Sequence, residues 1–215
     1  PGALGSFFKT GVQLHNPGTT AIRGRIVYHA QGVSGSMADP SLTYVLDPGE
    51  TFSWDDLLPA MSLSGLGSTD IISEEGPLPL SVVRIFNDAG ERGTTGMTED
   101  QVALGDALAA GDKGILIAPP DPAKARFNIG IRTLSEGATI TATVRNSFGA
   151  AVKSVTKSFP PVFFTQTPAS ALVEMELQGS DTILLEVESG SAILYGATTD
   201  NISQDPMIKV VRRLQ

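Results

Sequence analysis

The sequence predicts an all-β fold, arranged as two antiparallel β-sandwich modules in tandem with a few short helical turns. Three observations predict it. Apolar and polar residues alternate over short stretches, turn signals stand between those stretches, and the first half of the chain resembles the second half. The 23 glycines and 14 prolines, among many Thr, Val and Ile residues, also favour short strands over long helices.

Alternation at a period of two residues indicates strands with one buried face. The clearest stretches are Val12 and Leu14; Ile22, Gly24, Ile26 and Tyr28; Ile129 and Ile131; Ile140, Ala142 and Val144; and Ile183, Leu185 and Val187. Turn signals lie in the gaps, at NPG 16–18, DPG 47–49, SEG 135–137 and ESG 188–190. A strand about every ten residues is typical of a β-sandwich.

The internal repeat indicates how many modules there are. Residues 7–32 align with residues 124–149 at an offset of 117 to 118. The alignment places Val12 on Ile129, Leu14 on Ile131, Ile22 on Ile140 and Ile26 on Val144, and it continues with 46–53 on 159–166 and 67–88 on 179–202. Because a module of about 100 residues can bury its own core, we predict a first module at 1–97 and a second at 98–215.

Each half carries one short helix after its middle strands. In the first half, Asp55–Leu58 follows Ser53 and Trp54; in the second, Thr167 is the predicted cap of a helix that has Pro168 at its first position and runs through Leu172 and Met175. The alternative for this second stretch is a β-hairpin in which Val173, Met175 and Leu177 face Ile183, Leu185 and Val187. The repeat favours the helix.

The two modules are joined by a short helix and a Pro-rich connection at about 98–123. Thr98 and Gln101 have the spacing of a capping box, Val102–Ala110 can form the helix, and Gly111 can end it. A short strand at Gly114–Ala118 and the stiff run PPDP at 119–122 complete the connection.

Composition excludes several classes of function. The formal net charge of −8 opposes nucleic-acid binding, which needs clustered Lys and Arg residues. The absence of cysteine excludes disulfides, thiolate metal sites and cysteine nucleophiles. No apolar run approaches the ~18 residues of a membrane span. The sequence opens at Pro1 without a signal-peptide pattern, which indicates a processed product or a fragment whose export signal has been removed.

Catalytic motifs are weak in this sequence. The only candidate bases for an activated nucleophile are His15 and His29, and GVSGS at 32–36 lacks the last glycine of a nucleophile elbow, so we interpret it as a flexible loop. GLGSTD at 65–70 lacks the third glycine of a dinucleotide motif. Glu186 and Glu188 share one face of a strand, which leaves an enzyme with an acidic site only as a remote alternative.

The best candidate ligand-binding group is Trp54 with its neighbours Asp55 and Asp56. An exposed flat ring beside carboxylates is typical of a carbohydrate-binding module. The alternative is that Phe52 and Trp54, which share strand parity, both pack at the end of the sandwich, because a large ring near a strand end is usually buried.

The stretch TTDNISQDP at 198–206 holds the only candidate metal ligands. Asp200, Asn201 and Asp205 could each offer oxygen to a calcium ion, but their spacing does not match an EF-hand. Asn201 also begins an N-glycosylation acceptor pattern. The stretch FNDAGERG at 86–93 is its counterpart in the first half, and a recurring feature indicates a turn that the fold needs. We therefore predict that Asp200 and Asn201 bond to local backbone, with no metal and no cofactor.

Four stretches also resemble a group of uncharacterised secreted bacterial proteins with tandem Ig-like β-sandwich modules. They are PGALGSFFKTGVQLHNPG, LDPGETFSWDDLL, VALGDALAAGDKG and TTDNISQDP. The resemblance implies Ig-like modules and a location outside the cell or at its surface, and it implies no activity. The second half departs from the pattern: Thr133 stands at the position of the Asn in the first turn, and PPV replaces PG.

Together these features predict a non-enzymatic extracellular or cell-surface module with a structural, adhesive or assembly role. Its expected partners are a protein or glycan at the cell surface, or further copies of the chain that associate through sheet edges. A carbohydrate-binding module that uses Trp54, Asp55 and Asp56 is the alternative.

Overall fold

The structure is a computed structural model that describes residues 3–215. Strands make up 56% of it and helices 8%, and the sheets are antiparallel, so the prediction of an all-β fold is confirmed. Among the described residues, no helix is long and apolar enough to span a bilayer.

The chain divides into two compact units. The first comprises the residues up to Gln31 together with Ser36–Gln101, and the second comprises Gly32–Gly35 and Val102–Gln215. Within the second unit, Ser34 forms an isolated bridge with Phe163, flanked by backbone hydrogen bonds from Gly32 and Gly35. The GVSGS run is therefore a loop that is held within the second unit by the backbone pairing of Ser34.

The first unit has two sheets that share one core. The strands are β1 (Phe8–His15), β2 (Ile22–Ala30), β3 (Ser41–Leu46), β4 (Thr51–Trp54), β5 (Gly67–Glu75), β6 (Leu80–Asp88) and β7 (Thr94–Glu99). The first sheet has the order β4-β1-β6-β7 and the second has the order β3-β2-β5. Their alternating apolar residues meet in a cluster that includes Val12, Leu14, Ile22, Ile26 and Leu46, which gives the unit a sandwich-like character.

The second unit is built around two long strands that pair along almost their whole length. They are β10 (Ala125–Arg145) and β13 (Thr182–Asp200). The remaining strands are β8 (Leu108–Ala109), β9 (Lys113–Ile117), β11 (Ala151–Phe159), β12 (Phe164–Pro168) and β14 (Pro206–Val210). The sheet order is β11-β10-β13-β14, with β12 also on β10 and with β8 and β9 also on β13.

The pairing order of the first unit recurs in the second. The first half of β10 pairs with β12 and the end of β13, as β1 pairs with β4 and β6, and the second half of β10 pairs with β11 and the start of β13, as β2 pairs with β3 and β5. The register agrees as well. Val12 lies opposite Trp54 and Val83, and Ile129, its predicted equivalent, lies opposite Thr167 and Gly196.

A buried polar residue ends the first strand segment of each unit. The Asn16 side chain donates to the carbonyls of Thr20 (2.8 Å) and Leu46 (3.0 Å). Thr133 at the equivalent position donates from Oγ1 to the Pro160 carbonyl at 2.7 Å and accepts from the Phe163 N–H at 2.9 Å. At equivalent positions, two different side chains thus pair the buried backbone groups around them.

The two short helices lie where the repeat predicts them. They are α1 (Leu57–Ala60) and α2 (Ala169–Val173). The hairpin alternative for the second stretch is wrong, because Leu172 and Val173 turn into the core while Glu174 ends α2 in a left-handed conformation. The predicted cap is also wrong: Thr167 belongs to β12, where it pairs with Ile129, and Pro168 is the residue before the helix.

The predicted helix at Val102–Ala110 does not form. Leu104–Asp106 makes a single 3-10 turn, and Leu108–Ala109 is instead the short strand β8, paired with Ser191 and Ala192. Thr98 lies inside β7, opposite Arg84, so it cannot cap a helix. Burial of Leu108 in the core and pairing with β13 outweigh the local helix propensity of these small residues. The strand predicted at Gly114–Ala118 is present as β9.

Gly137 in β10 and Gly190 in β13 lie between the two halves of the ladder that these strands form. Register shifts interrupt the ladder on both sides of them, and both residues have a positive φ of 71°. A Cβ on Gly190 would overlap the carbonyl oxygen of Gly137, and a Cβ on Gly137 would lie 2.6 Å from the carbonyl oxygen of Phe159. Only glycine fits at this backbone contact.

We therefore expect Gly190→Ala to destabilise the second unit strongly. The positive φ costs about 1 to 2 kcal/mol for an alanine, and the backbone overlap should bring the total loss of unfolding free energy to about 2 to 4 kcal/mol. Gly149→Ala is the matched control, because Gly149 has a φ of 84° and open space around it. Chemical denaturation of the two variants checks this, and equal losses in both would contradict the role of the contact.

Candidate functional site

Trp54 belongs to the core side of the first sheet. It lies opposite Val12 in the register, it is half-buried, and it packs against the core of the first unit. Its ring centroid is 4.7 Å from that of Phe52, whose side chain is 46% exposed. The ring of Trp54 therefore contributes to packing rather than lying flat on the surface.

Asp55 and Asp56 diverge. Oδ1 of Asp56 accepts a hydrogen bond from the backbone N–H of Thr10 at 3.4 Å. Asp55 is exposed and lies at the edge of a groove on the outer face of the first sheet. The structure thus brings Trp54 and Asp55 to one groove, while Asp56 is not among the residues that line it.

The groove has a volume of about 390 Å³. It crosses all four strands of the sheet β4-β1-β6-β7 and is lined by Gly11, Val12, Gln13, Ser53, Trp54, Asp55, Val82, Arg84, Phe86 and Thr98. The strand register accounts for these lining residues. Gln13 lies between Ser53 and Val82 across the strands. Gly11 lies beside Arg84, which in turn lies beside Thr98.

Two glycines shape the groove. A Cβ on Gly11 would meet the carbonyl oxygen of Asp55 at 3.4 Å and Cε1 of Phe86 at 3.9 Å, so Gly11 leaves an open floor between these groups. A Cβ on Gly96 in β7 would overlap Cβ and Cα of Phe86 and the carbonyl oxygen of Ile85, so only glycine fits in β7 beside Phe86. The missing side chain at Gly11 leaves the depression, and the one at Gly96 lets β7 lie close to Phe86.

The polar groups of the groove are held by neighbours. Nε2 of Gln13 donates to Oγ of Ser53 at 3.2 Å. The Arg84 guanidinium lies 4.6 Å from the centroid of the Phe86 ring and donates to Oγ1 of Thr94 at 2.7 Å. These contacts orient an amide and a guanidinium at the surface, which lowers the entropy cost of binding a ligand.

An ion pair lies at the end of the same sheet. Nζ of Lys9 is 2.7 Å from Oδ2 of Asp88. The hydrogen bond from Lys9 lowers the pKa of Asp88, and the hydrogen bond to Asp88 raises the pKa of Lys9, so both groups are charged at neutral pH. Lys9 neighbours Phe86 in the register.

The equivalent face of the second unit is filled. Gly130 takes the place of Gln13, Gln166 that of Ser53, and Tyr195 that of Val82. The Tyr195 ring lies directly over Gly130, where a Cβ would overlap it, and its hydroxyl donates to Oε1 of Gln166 at 2.8 Å. Burial raises the pKa of Tyr195. An open groove is therefore not required by the repeated pairing pattern.

Asp200 organises the hairpin between β13 and β14. Its Oδ1 accepts hydrogen bonds from the backbone N–H groups of Ile202 (2.9 Å) and Ser203 (2.6 Å) and from the hydroxyl of Ser203 (2.9 Å). The bonds from Ser203 are the main cause of the lowered pKa of Asp200. In the equivalent hairpin, Oδ1 of Asp88 accepts from Gly90 at 2.9 Å. The prediction that Asp200 bonds to local backbone is confirmed.

Asn201 behaves differently from the prediction. Its side chain donates to the Ala123 carbonyl at 3.0 Å and accepts from Nη1 of Arg126 at 3.1 Å, so it ties the hairpin to the start of β10 instead of to its own turn. The Asp205 side chain is exposed. Within residues 3–215, no group of three or more His, Asp or Glu side chains is placed to hold a metal ion.

The acidic strand face carries an ion pair. Oε2 of Glu186 lies 2.9 Å from Nζ of Lys113 on the neighbouring strand β9. Glu188 is the extra residue at a register shift, between the pairs Ile140–Val187 and Thr139–Ser189.

Sequence reasoning missed the groove residues of β6. Leu80, Val82, Arg84, Phe86 and Asp88 alternate along this strand, which could have indicated one outward face with a ring and a cation. Their proximity to Gly11 could not be found without the pairing of β1 with β6.

No protein-family model matches the chain, and no curated protein matches it. The function is therefore inferred from the geometry of the chain itself.

We expect Asp200→Ala to lower the melting temperature at neutral pH, because three donors lose their acceptor. The folded state lowers the pKa of Asp200, so its contribution is present above about pH 4, the ordinary Asp value, and is lost as the pH falls through the lower folded value. Melting curves from about pH 2 to 7 check this, with Asp205→Ala as the control. A calcium-dependent rise in melting temperature that is lost in Asp200→Ala would overturn the turn assignment.

Proposed function

We propose that this chain is a non-enzymatic extracellular or cell-surface adhesion module that binds a neutral carbohydrate in the groove of its first unit. The proposal keeps the carbohydrate-binding alternative with Trp54 and Asp55 at the groove, and it leaves Asp56 out of the site. Of the three residues predicted for this role, the exposed Asp55 is the principal one.

The observation that carries the proposal is the contrast between equivalent faces. The two units share one pairing order and register, yet the second fills this face with Tyr195 over Gly130, while the first has Gln13 and Val82 there and leaves the floor open at Gly11. A depression that the fold does not require, with polar side chains directed around it, has the character of a binding site.

The chemistry of the groove favours a neutral polyhydroxylated ligand. Asp55 and Arg84 offer one negative and one positive charge, so neither a polyanion nor a polycation is favoured overall. Gln13, Ser53 and Thr98 add groups that can donate and accept hydrogen bonds. Phe86 supplies an apolar wall, which suits the apolar face of a sugar ring.

The tandem Ig-like architecture and the location outside the cell are part of the same proposal. The sandwich-like core of the first unit and the recurrence of its pairing order in the second unit support the architecture. The location is supported only by the sequence resemblance. The remote alternative, an acidic enzyme site, gains no support from Glu186, which pairs with Lys113.

Substitutions that introduce the second unit's residues at the equivalent positions of the groove test this function. Gln13→Gly with Val82→Tyr should place a ring over the floor and reduce binding to neutral polysaccharides such as mannan, galactan or cellulose at least about tenfold, the equivalent of about 1.4 kcal/mol. Val45→Tyr is the matched control, because Val45 is 48% exposed in β3 on the other sheet. Unchanged binding in the filled variant, or no binding of any neutral polysaccharide by the native chain, would contradict the proposal.

A second pair of variants in the same assay separates the two aspartates. Asp55→Ala should weaken binding, because it removes an acceptor at the edge of the groove, whereas Asp56→Ala should leave binding unchanged, because Asp56 turns toward Thr10. Equal effects of the two substitutions would place the ligand elsewhere.

A further inference from the structure

His29 is a fully buried ionisable residue away from the groove, near the end of β2. Nδ1 of its ring lies 2.8 Å from Oδ2 of Asp39, and Nε2 lies 3.2 Å from Oδ2 of Asp70. Asp39 belongs to the segment between β2 and β3, and Asp70 belongs to β5. One imidazole ring therefore connects three parts of the first unit.

The geometry of these two contacts favours the protonated ring. A neutral imidazole has one N–H and one bare nitrogen, whereas an imidazolium has two N–H groups. Each ring nitrogen of His29 faces a carboxylate oxygen, and only the protonated ring can donate to both. Two carboxylates near the ring favour its charged form, whereas burial opposes that form.

The segment Ser36–Pro40 depends on this arrangement. Oγ of Ser36 donates to the other carboxylate oxygen of Asp39 at 3.1 Å, so the aspartate links the segment's own turn to His29. Two further contacts attach the segment to β2: the N–H of Tyr28 donates to the Pro40 carbonyl at 2.9 Å, and Nη1 of Arg25 donates to the Met37 carbonyl at 3.0 Å.

We propose that His29 is a pH-dependent latch that holds the segment Ser36–Pro40 against β2 and β5 while it is protonated and loosens the segment when it loses its proton. After deprotonation one ring nitrogen presents a lone pair to a carboxylate. This lone pair repels the carboxylate of Asp39 or that of Asp70, depending on which ring nitrogen has lost its proton.

The neighbouring charges have partners of their own. Arg25, on the same face of β2, pairs with Glu74 of β5 at 3.0 Å, and Arg23 pairs with Glu75 at 3.2 Å. Asp39 from the segment and Asp70 from β5 both bond the His29 ring. The latch therefore places the imidazole between two carboxylates.

The sign of the pH effect follows for each partner. Burial alone would raise the pKa of Asp39, but the hydrogen bonds from His29 and Ser36 hold it below its ordinary value. The contribution of Asp39 is thus present above about pH 4 and is lost in acid. In the proposed latch, the contribution of protonated His29 is lost as the pH rises and the ring releases its proton. The latch is therefore strongest at a pH above the range in which Asp39 is protonated and below the range in which His29 is neutral.

An NMR titration tests the latch directly, because the chain has only two histidines. His15, whose Nδ1 faces Oγ1 of Thr51 at 2.8 Å, is the internal reference. The ring signals of His29 should still show an imidazolium at a pH where those of His15 show the neutral ring. If His29 becomes neutral at the same pH as His15 or at a lower pH, the proposal is wrong.

Hydrogen exchange gives a second readout on the same chain. After correction for the intrinsic base-catalysed rate, amides in residues 36–39 should lose protection at least about tenfold between about pH 6 and pH 9, one pKa unit of coupling. Asp39→Asn should remove this pH dependence, and His15→Gln should retain it. Protection of residues 36–39 that is independent of pH in the native chain would overturn the latch even if the ring stays charged.

Discussion

The backbone contact between Gly137 and Gly190 is the constraint on which the second unit depends. Two long strands stay paired through a change in register because two residues without a Cβ, both at positive φ, lie against each other. The first unit meets the same requirement with separate strands: the buried Asn16 follows β1, and Gly76, with a φ of 85°, follows β5. The same pairing order is thus formed by two long continuous strands in the second unit and by shorter strands joined by turns in the first unit.

Because the two units share one pairing order, a difference between equivalent positions is not a requirement of the fold. Buried polar residues occur at equivalent positions, such as Asn16 and Thr133, because each unit must pair its buried backbone groups. Asp88 and Asp200 recur in equivalent hairpins for the same reason. The groove differs between the units, because on the matching face of the second unit the Tyr195 ring lies over Gly130. This difference is the physical basis for assigning a ligand to the first unit.

Local patterns predicted the features that depend on local physics. Alternation located the core residues of β1, β10 and β13, and proline, glycine and aspartate located the turns. The helix predicted at Val102–Ala110 failed because pairing of Leu108 with Ala192 is a long-range interaction that local propensity does not contain. The groove and the His29 cluster were missed for the same reason, since each joins strands or segments that are distant in sequence.

Mapping a bound ligand onto the chain tests the central claim most directly. Titration of the ¹⁵N-labelled chain with a neutral oligosaccharide should shift amide signals in β1, β4, β6 and β7, with the largest changes at Gly11, Arg84 and Gly96. The signals of Gly130 and Tyr195, on the equivalent but filled face, should stay in place. Shifts centred on the second unit or on the sheet β3-β2-β5 would contradict the assignment of the groove as the binding face.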